Sequence, residues 1–334
     1  MKIDTNLGGD ITKTKESAQA LAAAGYDGLW IGETSHDPFL QCLQAAEATT
    51  DVTIGTSIAV AFARTPMTLA NLGYDLAQYS GGRFVLGLGS QVKPHIERRF
   101  SMPWSHPAAR MRELIVATKA IWTAWQDGTK LDFAGDFYTH TLMTPFFTPA
   151  AHSFGPPPIY LAGVGDRMTE VAGEVADGFF IHPFTTRRYL DEVTLPALAR
   201  GRARAGRTMD GFTICGPSFV TTGRDEAEMA VAVAATKKQI AFYASTPSYR
   251  SVLERHGWSD LQPELSSLAR ADRWDDMGAL IDEDMLTAFS VVAPPDRIAP
   301  ALREKLADIA TRLTFYAPYQ AEPALWATVR TALR

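Results

Sequence analysis

Short runs of small and β-branched apolar residues alternate along the chain with longer segments whose apolar residues recur every three or four positions. Residues 53–89 show the unit most clearly. Ile54 to Val60 reads as a buried strand. Thr65 and Pro66 open a helix as N-cap and first-turn proline. Leu69, Leu72, Leu76 and Tyr79 mark its inner face, and Gly81-Gly82 ends it. Phe84 to Leu88 is a second strand that runs into Gly89-Ser90. A polar residue stands in or just after each strand: Ser57 in the first, Ser90 after the second.

The same unit repeats over the whole length. Strands are predicted at 2–5, 28–31, 54–60, 84–88, 158–162, 178–181, 212–220 and 312–316. Helices are predicted at 12–24, 38–48, 65–80, 108–126, 166–175, 187–205, 225–243, 294–307 and 323–333. Eight strands with helices between them predict one (β/α)8 TIM barrel over residues 1–334, in which chemistry gathers at the C-terminal ends of the strands. Two stretches break the repeat. Residues 128–157 mix Gly, Pro, Phe and Tyr without period, and 245–293 are polar with helices predicted at 249–256 and 266–281. Both are expected to be insertions over the C-terminal mouth of the barrel.

Composition narrows the function. Apolar residues make up 46% of 334 residues, ordinary for an enzyme with a large core, and the formal net charge of −5 argues against nucleic acid or an anionic membrane as partner. Two cysteines, Cys42 and Cys215, give neither a disulfide framework nor a zinc spacing, and fit a reducing cytoplasm. No apolar run approaches the ~20 residues of a membrane span, and the strand that begins at Lys2 leaves no room for a secretory leader. The seven histidines show no H-x-H or H-E-x-x-H spacing, so no metal site is expected. A nucleophile elbow is absent, and Gly87-Leu88-Gly89 lacks the third glycine of a dinucleotide fingerprint.

Candidate chemistry lies just after the strands. Gly163-Val164-Gly165-Asp166-Arg167 leads from the fifth strand into a helix, where glycines admit close approach and a helix start favours an anion; the same glycines also suit a plain turn. His36 and His182 follow the second and sixth strands. An imidazole near neutral pH suits proton transfer by His36, which also fits a turn before its helix; His182 is a candidate contact for a phosphate or substrate, with packing at the rim as the alternative. Ser90, Gln91 and His95 follow the fourth strand, where a cap and a solvated face are the alternative. Phe39, Phe62, Trp104, Phe146, Phe147 and Phe184 suggest an apolar substrate cavity, or core.

In this order, GTSIAV, RTP, SGGRF-LGLG, PPPIYLAGVG and AGEVADG resemble the luciferase-like superfamily of flavin and deazaflavin oxidoreductases. ETSHDPF, HIERRFSMPWSHP and HPFTT are similar to an actinobacterial group within its coenzyme F420-dependent branch. The resemblance spans nearly the whole chain. It implies a ring at the barrel mouth backed by a non-proline cis peptide at Ser57-Ile58, and a cofactor phosphate on the loop Gly163 to Arg167. It also implies a pyrimidine edge bonded by Ser90, Gln91 and His95, and a catalytic acid at Glu33. Thr34 stands where sugar-phosphate-oxidising relatives carry His, so His36 is the catalytic candidate; His182 is the further cofactor contact. The implied activity is F420-dependent hydride transfer to or from an organic small molecule. A reduced-FMN monooxygenase and a non-catalytic flavin-binding barrel are the alternatives. A cytoplasmic homodimer is expected, with Met67, Tyr74 and Tyr79 available for contact. An acidic F420 tail would leave past Lys93, Arg98, Arg99, Arg187 and Arg188.

Overall fold

The computed structural model describes residues 1–334. Eight parallel strands form the barrel: Lys2–Asn6, Gly28–Ile31, Thr53–Thr56, Phe84–Gly89, Ile159–Gly163, Gly178–Ile181, Thr213–Thr221 and Arg312–Tyr316. Each pairs with the next, and the eighth also pairs with the first. Arg312 faces Cys215 on one side and Lys2 on the other, which closes the sheet on itself. Seven of the eight predicted strands are present within a residue or two, because each is a short apolar run bounded by glycine, proline or a cap; the third, predicted over 54–60, ends at Thr56. The helix Pro66–Tyr79 begins as its sequence requires, with the Thr65 hydroxyl accepting from the Thr68 amide.

Alternation along the strands divides the core in two. Outward residues such as Ile54, Leu86, Leu161 and Leu313 meet the surrounding helices. Inward residues fill the barrel in layers. At the floor Asp4 and Arg312 form a bidentate pair, both bonds 2.7 Å, and the Trp30 indole donates to Asp4 at 2.9 Å. Above them Trp30, Val85, Tyr160, Phe180 and Cys215 form a second layer, with Trp30 edge-on to Phe180 at 5.1 Å. Close strand packing needs glycine at Gly87, where a Cβ would stand 1.8 Å from the Thr56 carbonyl oxygen.

The two insertions differ in place. Residues 128–157 fold along the outside of the helix Pro107–Asp127 instead of across the mouth. Their hairpin, Phe133–Ala134 with Thr139–His140, is held by Glu113, which accepts from the amides of Asp136, Phe137 and Tyr138. Phe137 beside His106 and Tyr138 on Arg110 are its reach toward the rim. The reason is connectivity: a segment between a barrel helix and the next strand starts at the N-terminal end of the barrel, so it climbs only along the wall.

The second insertion begins earlier than its composition indicated. The helix Glu226–Ala244, read from sequence as a barrel helix, belongs to it. The seventh strand runs on to pair with Ser290–Val292, and the helix Pro295–Leu306 takes the barrel position, with Leu306 against Gly216. The insertion carries its own core, in which Ile240, Leu253, Leu265 and Phe289 close over Phe184, Tyr189 and Phe219 at the ends of the sixth and seventh strands. Lys305 ties it down by donating to the Phe289 carbonyl at 2.8 Å. No helix is long and apolar enough to cross a membrane.

Candidate active site at the barrel mouth

The third strand is broken after Thr56 by a cis peptide at Ser57-Ile58 and resumes at Ala59–Val60 beside Leu88 and Gly89. Ile58 covers Gly89, where a Cβ would meet its Cγ1 at 2.7 Å. The loop after the second strand is locked to this bulge. The Glu33 amide donates to the Ile58 carbonyl (3.1 Å), and its carboxylate accepts from the Val60 amide (2.7 Å) and from Arg64 (2.6 Å). Arg64 also holds Asp37 at 2.7 Å. Glu33 is 6% exposed and Arg64 11%, so this carboxylate is engaged in an ion pair facing away from water. Arg64 was missed in the sequence because its partners lie 27 and 31 residues away. His36, on the same loop, is exposed and makes no side-chain hydrogen bond within the chain.

The loop after the fourth strand is unusual in its backbone. Gln91, Ser101 and His106 all take positive φ, and His95–Arg99 form a π-helical turn. Non-glycine residues reach that region at a cost of ~1–3 kcal/mol each, and such residues gather at functional sites. The Ser90 hydroxyl donates to the Gln91 carbonyl, and the Gln91 side chain accepts from the Val92 amide, so both are turned onto their own loop. His95 is exposed. Arg99 ties this loop to the previous one by donating to the Thr34 carbonyl at 2.6 Å.

The loop Gly163 to Arg167 opens differently. The helix Asp166–Val175 has no side-chain cap, and its first internal bond is Thr169 to the Gly165 carbonyl. The amides of Asp166, Arg167 and Met168 are therefore free donors. The Asp166 carboxylate is paired outward with Arg200 at 2.6 Å. Across from it the helix Pro107–Asp127 also starts uncapped, at His106. The two starts share a cavity of about 580 Å³ lined by His106 to Ala109 and Gly165 to Met168. His36, Ser90 and His95 do not line it. A Cβ on Gly165 would meet nothing within 4 Å, so the fold itself leaves this approach to the amides open. The arrangement fits an anionic group such as a phosphate.

The inward residues at the open end are unequal around the circle. On the second, fourth and fifth strands they are small, Gly32, Gly89 and Ala162, and at the break in the third Ile58 packs onto the inner layer beside Ser57. On the sixth and eighth they are His182 and Tyr316, next above the inward Phe180 and two above Thr314. The insertion adds Tyr243 and Tyr249. His182 is half-buried, 4.9 Å from the Tyr243 ring and 4.5 Å from that of Tyr249. Its Nδ1 accepts from the Phe184 amide at 3.1 Å, so the neutral ring carries its proton on Nε2. Burial pushes its pKa down to about 4. Tyr243 and Tyr316 share a hydroxyl–hydroxyl bond of 3.0 Å, and burial raises the pKa of both. Period-two alternation along 312–316 marks Tyr316 as inward; nothing local marks Tyr243 or Tyr249.

Three expected features have other places. Phe39, Phe62 and Phe184 are core, while Phe146 and Phe147 are 88% and 71% exposed on the outer excursion. Tyr74 is internal and donates to Gln126 at 2.6 Å, which removes it as a contact for a partner chain. Arg187 is committed to Asp191 and Asp308, and Arg188 to Glu192. No group of three or more His, Cys, Asp or Glu side chains is arranged to hold a metal ion.

The fold is that of a closed parallel barrel with two uncapped helix starts around a cavity at its C-terminal end. The family model described as luciferase-like monooxygenase matches residues 2–312, and the chain belongs to this family. It is 54% identical over 313 residues to an uncharacterized protein of Mycobacterium tuberculosis, covering 94% of this chain and 92% of that one. It is 28% identical over 259 residues to the F420-dependent glucose-6-phosphate dehydrogenase of Intrasporangium calvum, covering 73% and 72%. The coenzyme F420 dependent tetrahydromethanopterin reductase of Methanopyrus kandleri superposes with a TM-score of 0.77 at 22% identity, covering 99% of this chain and 96% of that one.

Proposed function

We propose that the protein is an F420-dependent oxidoreductase acting on an organic small molecule. The observation that carries this reading is the pair of uncapped helix starts around one cavity, beside a mouth whose inward residues are glycine or alanine on the second, fourth and fifth strands, with Ile58 of the broken third strand over Gly89. The free amides of Asp166, Arg167 and Met168 would hold the cofactor phosphate, and the bulge at Ser57-Ile58 would back its ring. When bound, the deazaflavin supplies hydride chemistry. Glu33, through Arg64 and Val60, positions the bulge and the loop bearing His36. Ser90, Gln91 and His95 after the fourth strand, and His182 after the sixth, would be the cofactor's further contacts. Phe62 and Trp104, edge-on at 5.7 Å, stiffen the loop between the fourth strand and its helix.

The acidic tail of F420 would pass Arg98 and Arg167, which are exposed and make no ion pair, with Lys93 and Arg99 beside them; Lys93, Arg187 and Arg188 are paired with acids. A reduced-FMN monooxygenase is the second reading, favoured by the description of the family model. The two separate by titration. F420 is expected to bind more tightly than FMN, with an affinity that falls as salt rises, since surface charges are screened within ~10 Å at 0.1 M. Tighter, salt-independent FMN binding with oxygen uptake by the reduced flavin overturns the F420 reading. A homodimer through the face bearing Tyr79 and Phe154, 54% and 53% exposed, completes the proposal. Light scattering that gives a monomer mass at micromolar concentration refutes that part.

A further inference from the structure

We infer that His182, Tyr243 and Tyr316 form a hydrogen-bond-donating wall that receives an uncharged, planar carbonyl compound. The inference rests on the reading of the mouth as a reaction site and adds to it the side from which the second ligand is held.

The argument begins with proton counting. Two tyrosine hydroxyls share one bond of 3.0 Å. The Gln239 amide donates to the Tyr243 oxygen, so Tyr243 gives its own proton to Tyr316 and the Tyr316 proton is left free to donate. His182 adds a second donor. Its Nδ1 is spent on the Phe184 amide, and its Nε2 makes no hydrogen bond within the chain and is not among the fully enclosed polar atoms. Two neutral donors therefore stand on adjoining parts of the rim. The geometry around them is aromatic: Tyr249 lies against His182, and Phe219 lies 4.8 Å from the Tyr316 ring.

Charge narrows the ligand. The residues packed on these donors carry no formal charge. The two arginines that follow His182 are turned into ion pairs with Asp191, Asp308 and Glu192. A carboxylate or a sugar phosphate would enter this half of the mouth without a free cation to offset its desolvation. A carbonyl oxygen accepts from both donors at no such cost, and aromatic walls suit a flat conjugated body. The location is one strand away from the small-residue half, so both halves are open to ligands at once.

The test is titration of the cofactor-free protein with para-dimethylaminoacetophenone, an uncharged aryl ketone whose absorbance moves to the red when its carbonyl accepts hydrogen bonds. Its carboxylate counterpart, para-dimethylaminobenzoate, is the comparison. The ketone is expected to bind with a red shift and at least tenfold more tightly than the carboxylate. Tyr316→Phe and Tyr243→Phe should each weaken it roughly five- to tenfold, and the double variant should abolish the shift. His182→Gln, which keeps a donor, should retain part of it. Tyr79→Phe, on the outer face, should change nothing. Near-ultraviolet circular dichroism checks that each variant keeps its fold. No binding by the unaltered protein, equal or tighter binding of the carboxylate, or an undiminished shift in the double tyrosine variant overturns the inference. Cofactor binding is read separately through the phosphate cradle, so failure here and failure of the F420 reading give different patterns.

Discussion

Replacing Arg312 by Met isolates the physics of the barrel floor. Asp4 has no exposed side-chain surface, and Arg312 meets it with two bonds of 2.7 Å while lying over the Trp30 ring at 5.3 Å. Methionine keeps much of the aliphatic stem but removes the charge, and Asp4 then retains only the Trp30 indole as a side-chain partner. Breaking a buried pair by removing one member destabilises by ~3–5 kcal/mol, mostly through the ion left behind. Burial already raises the Asp4 pKa against the opposing pull of Arg312, so without Arg312 it rises further. A carboxyl whose folded pKa exceeds its unfolded value favours the fold at low pH and loses that contribution as pH climbs through the folded value. Urea denaturation at pH 5.5 and pH 8 should therefore show a penalty near 4 kcal/mol at the higher pH and a smaller one at the lower. Comparison with the unaltered protein at each pH removes the titration of all other groups. Asp4→Asn combined with Arg312→Met should recover more than half of the loss, with no pH dependence. A penalty below ~1 kcal/mol, equal penalties at both pH values, or a double variant as unstable as the single would refute the account.

Gly165→Ser places a hydroxyl where the uncapped amides wait, so it should raise stability by a few tenths of a kcal/mol while weakening F420 binding by about tenfold, one hydrogen bond to a charged group; calorimetry and cofactor fluorescence read the two. His182 is held neutral by burial, its pKa falling from 6.5 to about 4. The unfolded chain therefore takes up a proton first as pH drops, stability falls between those values by roughly 3 kcal/mol at 1.36 kcal/mol per unit, and His182→Gln should flatten that part of a urea-midpoint profile. Gly87→Ala should abolish soluble expression, because its Cβ would sit 1.8 Å from a backbone oxygen; a soluble variant with an unchanged midpoint would contradict the packing described.

Much of the scaffold was legible because its signals are local. Thr65-Pro66 caps its own helix, Gly81-Gly82 ends it, and the runs at 84–88 and 178–181 have one buried solution each. The order of eight such runs implied the barrel. The turn at Gly163 to Arg167 and the helix start after it were legible too, since a glycine pair before a helix is a feature of neighbouring residues. Resemblance, not periodicity, pointed to the bulge at Ser57-Ile58.

What the sequence left open lies in pairings between distant residues. Glu33 reads as a free acid until Arg64, 31 positions on, is folded onto it. Asp4 and Arg312 stand 308 residues apart, and barrel closure makes them one ion pair. The insertion starting after the seventh strand was split by composition alone, because its first helix is as regular as any barrel helix and only the pairing of Ser290–Val292 reveals its place. Tyr243 reaches Tyr316 across 73 positions for the same reason. Local periodicity fixes which face of an element is buried; which elements meet depends on closing long loops around a shared core, and that free energy belongs to the whole chain.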